Sequence, residues 1–242
     1  MQNICLVDFT GEERHGYILG SRFPKTDPAY SEYLDIGYNH QNFTWRDETP
    51  HYHKTSEAYF IVLQGQLDFL VQNRLFCVKP RQLLGIRSGM AHQISGGHTP
   101  IENFLIRVPG RGEDKISLAP EETGHTASGS GGVEPILLDI NQPFSGYPLP
   151  ENHPNHSPLL DFTCVWDVDP GKEWKNNQFH YHTLREEYFI VLRGRLDLTI
   201  DSSTISVHAG QIIGIKPPIS HTVIGGEGPA DVLFVRFPGG RG

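Results

Sequence analysis

Two stretches of the chain, HYHKTSEAYFIVLQGQLD at 51–68 and HYHTLREEYFIVLRGRLD at 180–197, are closely similar. They belong to a longer match in which residues 51–110 align without a gap with residues 180–239, and 23 of these 60 positions are identical. A looser likeness continues upstream, where Leu6-Val7-Asp8 corresponds to Leu137-Leu138-Asp139. A repeat of this length indicates that one structural unit has been duplicated in tandem.

The segment between the two copies differs in composition from both of them. Residues 119–132, APEETGHTASGSGG, are rich in Gly, Ser and Thr, which is typical of a flexible linker. We therefore expect an N-terminal domain at 1–118 that includes an N-terminal arm, a linker at 119–132, and a C-terminal domain at 133–242.

Each copy has the pattern of a β structure. Residues 188–192 are aromatic and β-branched, and residues 196–200 alternate apolar with polar side chains. Turn-forming residues follow at 201–203 and 209–210, and the chain contains 26 Gly and 18 Pro, which favours turns over long helices. Several short strands separated by turns predict a sandwich or barrel in each half.

The histidines of the repeat have the spacing of metal ligands. Two residues at i and i+2 on a strand share one face, and imidazole nitrogen is a good ligand for Fe, Mn, Zn, Ni and Cu. A later histidine, and in the second half a carboxylate, extend each pair. The candidate metal ligands are His180, His182, Glu187 and His221 in the second half, and His51, His53 and His92 in the first.

The second-half pattern resembles a known superfamily. The spacing His180-x-His182-x4-Glu187-x6-Gly194, followed by Gly210, Pro217 and His221, is similar to the cupin motif, and the duplication resembles the two-domain bicupins. This resemblance implies an all-β fold of two tandem cupin-type jelly-roll β-barrels, also described as double-stranded β-helices. It further implies a divalent transition metal near the barrel centre. It does not imply one reaction, because the fold supports many.

The two halves differ at the position of the carboxylate. Counting seven residues back from the glycine gives Glu187 in the second half and Ala58 in the first, whereas Glu57 aligns with Glu186. A shift of one residue on a strand turns a side chain to the opposite face. We therefore expect Glu187 to face the barrel interior, and Glu57 and Glu186 to face outward. An alternative is a β-bulge that returns Glu57 to the interior as a ligand.

Four other large residues near the motifs have two interpretations each. Arg107 and Arg236 occupy equivalent positions and would either anchor an anionic substrate or pair with a carboxylate near the strand end. We favour the pairing, because both halves keep the arginine although only one keeps the carboxylate ligand. Trp166 and Trp174 precede the second motif and would line its pocket or pack in the core, with neither favoured.

Two kinds of metal chemistry fit this ligand set. With Fe(II) the site can bind O2 beside a chelated substrate, and with any divalent ion it can act as a Lewis acid, as in isomerases, cyclases and decarboxylases. The resemblance of the four-ligand set to cupin dioxygenases favours an Fe(II) dioxygenase acting in the C-terminal barrel. The residues expected to face inward there make the pocket more apolar than a sugar site needs: Phe189, Val191, Ile213 and Ile215. Mn, Ni or Zn remain alternatives. Glu187 is the candidate catalytic residue, as ligand, base or both. A non-catalytic small-molecule binding protein is the third interpretation.

Composition argues against several other classes of protein. The net charge of -8, without a cluster of Lys and Arg, argues against a nucleic-acid partner. No stretch approaches the roughly 18 apolar residues of a membrane span. Cys5, Cys77 and Cys164 lack the spacing of a disulfide framework or a zinc-thiolate site. The first residues lack a signal-peptide pattern, so we expect a cytoplasmic monomer or homodimer that binds a small-molecule substrate.

Overall fold

The computed structural model describes residues 3–10, 16–43, 48–110, 114–119, 122, 134–149, 151–153, 156–174 and 178–239. Within these ranges the chain is almost entirely β-strand, as the sequence predicts. Of the expected linker at 119–132, only Ala119 and Glu122 are among the described residues. The domain boundaries proposed at that linker therefore stay a prediction.

Apart from β4, β9 and the helix α1, the described strands follow one another in the same order in the two halves. In the described ranges the first half contains β1 (Ile4–Asp8), β2 (Gly16–Leu19), β3 (Asp35–Gln41), β4 (His51–His53), β5 (Glu57–Val71), β6 (Arg74–Val78), β7 (Gln82–Ile86), β8 (His92–Val108) and β9 (Lys115–Ser117). The second half contains β10 (Ile136–Asp139), β11 (Phe144–Gly146), β12 (Asp161–Val168), the short helix α1 (Pro170–Glu173), β13 (Glu186–Ile200), β14 (Ser203–His208), β15 (Gln211–Ile215) and β16 (His221–Phe237).

The described strands form two antiparallel sheets, one for each barrel. The first has the order β10-β7-β5-β8-β3-β2, with β6 paired to β5, β4 paired to β8, and β9 paired to β4. The second has the order β1-β15-β13-β16-β12-β11, with β14 paired to β13. The arrangement confirms the expected pair of jelly-roll barrels.

The long strands β5 and β13 bend at a glycine that both halves share. Gly65 has φ 75° and Gly194 has φ 77°, a conformation that favours glycine. A Cβ at Gly65 would lie 2.2 Å from the carbonyl oxygen of Pro100, so no side chain fits there. The ladders of both strands change register close to these glycines. Each strand therefore bends at this point while staying paired with its neighbour.

The alternation of side-chain directions along the strands divides the buried apolar residues into three clusters. Phe189 and Val191 lie in a cluster inside the C-terminal barrel, whereas Tyr188 and Ile190 lie in a larger cluster that combines residues of both halves. The N-terminal barrel has its own interior cluster, which includes Ala58, its counterpart of Glu187. The inward and outward faces predicted from the sequence are confirmed.

The two arms exchange places between the barrels. Strand β1 pairs with β15 of the second half, with Ile4 opposite Ile215, and β10 pairs with β7 of the first half, with Ile136 opposite Gly85. Each arm therefore covers a strand edge of the other barrel. The backbone hydrogen bonds of these pairs join the two halves through two extended sheets.

Two buried carboxylates occupy the contact between the barrels. Glu186 accepts hydrogen bonds from Tyr188 of its own barrel (2.6 Å) and from Ser31 of the other half (2.5 Å). Glu57 accepts the equivalent bonds from Tyr59 (2.7 Å) and Ser157 (2.6 Å). Both carboxylates thus point outward from their barrels, as the parity argument predicts.

Removing one of these donors should weaken the contact between the barrels. For Ser31→Ala we expect the free energy of unfolding to fall by about 1–3 kcal/mol, because a buried carboxylate loses a hydrogen-bond donor. Chemical denaturation measures this loss. Ser202→Ala, at an exposed turn position, is the control and should change the stability by less than about 0.5 kcal/mol. An equal effect of the two substitutions would contradict the assigned role of Ser31.

Candidate metal centres

Four side chains of the C-terminal barrel converge on one point. Glu187 lies near the start of β13 and His221 begins β16, while a backbone bridge between His180 and His221 brings in the His-x-His pair. One ligand atom of each of His180, His182, Glu187 and His221 lies within 4.8 Å of the others. The structure therefore brings together all four predicted ligands of the second half.

The orientation of the imidazoles fits a bound cation. Nδ1 of His221 lies 3.0 Å from the carbonyl oxygen of Ile219, which can only accept, so Nδ1 carries the proton and Nε2 presents a lone pair. Oε2 of Glu187 lies 2.9 Å from Nε2 of His221 and 3.2 Å from Nε2 of His182. Two acceptors at this distance need a proton or a metal cation to offset their repulsion. The donor set therefore suits a divalent transition metal.

Glu187 is held in its charged form. Burial alone would raise the pKa of Glu187, but its contacts with the surrounding imidazoles and the charge of Arg236 hold this pKa well below its usual value. Nη1 of Arg236 lies 3.7 Å from Oε1 of the carboxylate. The proximity of Glu187 in turn raises the pKa of His180. An ionised carboxylate is the form that ligates a metal.

The N-terminal barrel contains a cluster of three histidines. His51 and His92 are opposite each other on β4 and β8, and His53 follows on β4. Their candidate ligand atoms lie within 4.8 Å of one another, and all three side chains are buried. Burial lowers the pKa of His51 and of His53 to about 4 and that of His92 to about 3, so the rings are neutral at neutral pH.

Each ring of this N-terminal triad is oriented through Nδ1. The partners are the carbonyl oxygen of Thr49 for His51 (3.1 Å) and that of Met90 for His92 (2.9 Å). The partner of His53 is Oδ1 of Asp114 (2.9 Å). Such partners fix the tautomer and leave Nε2 for a metal.

Asp114 was not among the residues predicted from the sequence. It is buried, and although burial opposes ionisation, hydrogen bonds from Ser56 and the contact with His53 lower the pKa of Asp114 to about 2. It lies far along the chain from His53 and outside the aligned repeat. Comparison of the two halves therefore gave no signal for it.

The first half has no carboxylate in the position of Glu187. Ala58 faces the interior at that place, as predicted. The alternative in which a bulge turns Glu57 inward is wrong, because Glu57 binds Ser157 and forms an ion pair with Arg87 at 2.9 Å. The centre therefore offers three neutral imidazoles and no charged ligand among the described residues.

The two arginines at the ends of β8 and β16 pair with carboxylates, which is the interpretation favoured from the sequence. Nε of Arg107 donates to Asp35 at 3.0 Å in a fully buried pair. Nε of Arg236 lies 3.3 Å from Oδ2 of Asp161, an ion pair without an aligned hydrogen bond. Both arginines also line the cavities above the metal ligands.

A cavity lies over each cluster. Both have similar volumes, about 270 Å³ in the N-terminal barrel and about 260 Å³ in the C-terminal barrel. Trp174 lines the C-terminal cavity, while Trp166 is buried in the core between the barrels. The two tryptophans that the sequence left undecided thus have different roles.

The two His-x-His segments differ in whether a neighbouring strand lies over them. In the first half β9 pairs with β4, with Ile116 opposite Tyr52. In the second half no strand pairs with the described residues 178–182 on that side, and Tyr181 is 61% exposed. His180 is accordingly half exposed, whereas His51 is buried.

The fold and the paired histidine clusters resemble those of two-barrel proteins of the cupin class. Residues 164–236 match the family model of the cupin domain, so the expected resemblance to the cupin superfamily is confirmed. A comparison with curated proteins finds no match.

Several solved structures share the fold across both barrels. Ylba from E. coli has a TM-score of 0.64 and 14% identity, covering 98% of this chain and 91% of its own. Oxalate decarboxylase from Lactobacillus farciminis, as a formate complex, has a TM-score of 0.62 and 15% identity, covering 97% and 86%. Bacillus subtilis oxalate decarboxylase has a TM-score of 0.58 and 17% identity, covering 98% and 78%. These TM-scores show a common fold, and at identities below 25% the likeness shows the fold alone.

No helix in the described part of the chain is long and apolar enough to cross a membrane.

Metal analysis of single and double variants should separate the two centres. We expect His182→Ala and His53→Ala each to remove one divalent ion per chain, and the double variant to remove both, because each substitution deletes one ligand of one cluster. Elemental analysis of the purified protein measures this. His208→Ala, an exposed histidine outside both clusters, is the control. Unchanged metal content in His182→Ala would mean that the C-terminal ligand assignment is wrong.

The orientation of His53 by Asp114 can be tested separately. For Asp114→Asn we expect the metal affinity of the N-terminal centre to fall about 10- to 100-fold, because the amide removes the charge that makes His53 more basic. Competition with a chelator measures the affinity. Asp201→Asn, at an exposed turn, should leave it unchanged, and equal affinities for all three proteins would refute the role of Asp114.

Proposed function

We propose that this protein is a metal-dependent enzyme that oxidises a small organic molecule with molecular oxygen, and that the chemistry takes place in the C-terminal barrel. One observation carries the proposal. The cluster of His180, His182, Glu187 and His221 opens into an apolar cavity in which no described side chain outside the ligand set is a carboxylate or an imidazole.

The lining of the cavity supports a substrate with an apolar or aromatic body. The walls include Val165, Val223 and three aromatic rings. The ring centroids of Phe189 and Phe234 are 5.1 Å apart, and those of Trp174 and Phe234 are 5.9 Å apart, both with near-perpendicular planes. Aromatic side chains in this arrangement offer faces and edges against which a substrate ring can pack.

The polar end of the cavity supports a substrate that also carries oxygen atoms. Nη2 of Arg236 donates to the hydroxyl of Thr163 at 2.9 Å, and Ser145 lies 2.9 Å from the same hydroxyl. Arg236 and the two hydroxyls line the cavity beside Glu187. They are positioned to orient the oxygen atoms of a chelating substrate, while Arg236 also keeps Glu187 ionised.

The proton chemistry of the site favours oxidation over isomerisation or decarboxylation. Those reactions need a group that moves a proton to or from the substrate, and such a group works best with a pKa near the working pH. Glu187 is the one carboxylate among the described residues that line this cavity, and it contacts the imidazoles of His182 and His221 as a fellow ligand would. We therefore propose Glu187 as a metal ligand and not as the catalytic base.

The metal is part of the proposal. A redox-active divalent ion such as Fe(II), held by these four residues, would supply the activation of oxygen that amino acid side chains lack. Mn, Ni or Zn fit the same donors. The structure of Bacillus subtilis oxalate decarboxylase concerns Mn(II) centres, which supports a divalent ion in this fold without selecting Fe(II).

Oxygen consumption tests this function. With the Fe(II)-loaded protein and a panel of apolar molecules that bear two chelating oxygen atoms, catechol among them, we expect one O2 consumed per substrate. Both atoms of labelled oxygen should appear in the product. His221→Ala should abolish uptake, because it removes a buried ligand, while the exposed control His208→Ala should keep it. Turnover without oxygen would instead favour the Lewis-acid reactions.

A further inference from the structure

A row of aromatic rings leads away from the metal ligands of the C-terminal barrel. The ring centroid of Phe189 lies 6.2 Å from that of His221, Phe234 follows at 5.1 Å from Phe189, and Trp174 follows at 5.9 Å from Phe234. Successive planes in the row are inclined by 68–86°. The three apolar rings all line the cavity. The row therefore has one end at a metal ligand and a far end at Trp174.

The N-terminal barrel interrupts the equivalent row. Phe60 corresponds to Phe189 and lines the N-terminal cavity, but Leu105 occupies the place of Phe234 there. Both barrels close the same kind of sheet, and their cavities have similar volumes. The fold thus does not require an aromatic ring at position 234, and the row is a property of the C-terminal site.

The short helix α1 holds Trp174 at the far end of the row. The backbone N–H of Trp174 donates to the carbonyl oxygen of Pro170 at 3.2 Å, and Pro170 is buried. The helix packs closely on β16 at Gly228, where an added Cβ would lie 3.0 Å from Cδ of Pro170. The first half has Thr99 at the position of Gly228. This close approach is therefore also specific to the second half, and it fixes the position of Trp174.

The polar groups of the cavity are connected to the opposite end. Arg236 lies beside Glu187, and a chain of hydrogen bonds runs from Arg236 to Thr163 and on to Ser145. Apart from these polar residues and the metal ligands, the described lining consists of Val165, Val223 and the three rings. A substrate with its oxygen atoms at the metal ligands thus has only apolar surface available for the rest of its body.

We propose that Trp174 is a specificity-determining residue of the C-terminal site. The substrate lies with its chelating oxygen atoms at the metal ligands, and its apolar body extends along Phe189 and Phe234 until it contacts Trp174. The substrate class is therefore a chelating molecule with an apolar extension beyond the chelating ring, in preference to a compact one. This inference rests on the proposed function in placing the oxygen atoms of the substrate at the metal.

Calorimetry with two probes tests the apolar end of the site. The probes are catechol and 4-tert-butylcatechol, and the protein is loaded with zinc, which is not redox-active, so that binding is measured without turnover. We expect 4-tert-butylcatechol to bind about tenfold more tightly than catechol, because the added group buries apolar surface against the rings. Equal affinities, or no detectable binding of 4-tert-butylcatechol, would overturn the proposal.

Matched variants assign this preference to the row. Trp174→Ala should lower the preference to below about threefold and change the affinity for catechol by less than about twofold, because only the extension loses its contact. Trp174→Phe keeps a ring and should keep the preference. Phe234→Leu, which copies the N-terminal barrel, should also lower it and serves as the second variant if Trp174→Ala does not fold. Phe43→Leu, at an exposed ring outside the cavity, is the control. An unchanged preference in both Trp174→Ala and Phe234→Leu would overturn the proposal.

Oxygen uptake separates this inference from the proposed function. A preference that depends on Trp174, found together with no oxygen uptake by the Fe(II)-loaded protein, would contradict the oxidation and leave the role of Trp174 supported. Uptake with catechol, found together with equal binding of the two probes, would support the oxidation and overturn the role of Trp174.

Discussion

In the parts of β5 and β13 that precede the glycine bend, side chains point in turn into a barrel and into the contact between the two barrels. This alternation sends Phe189 inward and Tyr188 outward. It also separates two adjacent carboxylates by function: Glu186 joins the barrels and Glu187 faces the histidines. A slip of one residue in the pairing would exchange them, so the metal centre and the barrel contact depend on the same register.

Both candidate sites depend on the contact between the two barrels. The exchanged arms place β1 beside β15 and β10 beside β7, so each barrel is completed by the other half of the chain. Ile215, which pairs with Ile4 of the arm, is also the cross-strand neighbour of Glu187. The strand that carries the second-half carboxylate thus rests on a segment from the far end of the chain.

The two copies differ both at the position of the carboxylate ligand and in the residues that line their cavities. With Glu187, the C-terminal centre carries its own negative charge and its cavity is lined mainly by apolar side chains. With Ala58, the N-terminal centre lacks that ligand, and its cavity is lined instead by Asn39, Glu48, Arg22, Arg107 and Lys115. The two copies keep the same arrangement of histidines but surround it with different charged and polar side chains.

The sequence by itself determined the repeat, the all-β class, both histidine triads and the opposite directions of Glu57 and Glu187. These features depend on local spacing and on the two-residue period of a strand, which can be read without knowing the fold. Only the tertiary structure decided the exchange of the arms, the bond between Asp114 and His53, and the row of rings that ends at Trp174. Each of these depends on which distant segments become neighbours. Residues that lie outside the aligned repeat, or that differ between its copies, have no pattern in the sequence that would identify their partners.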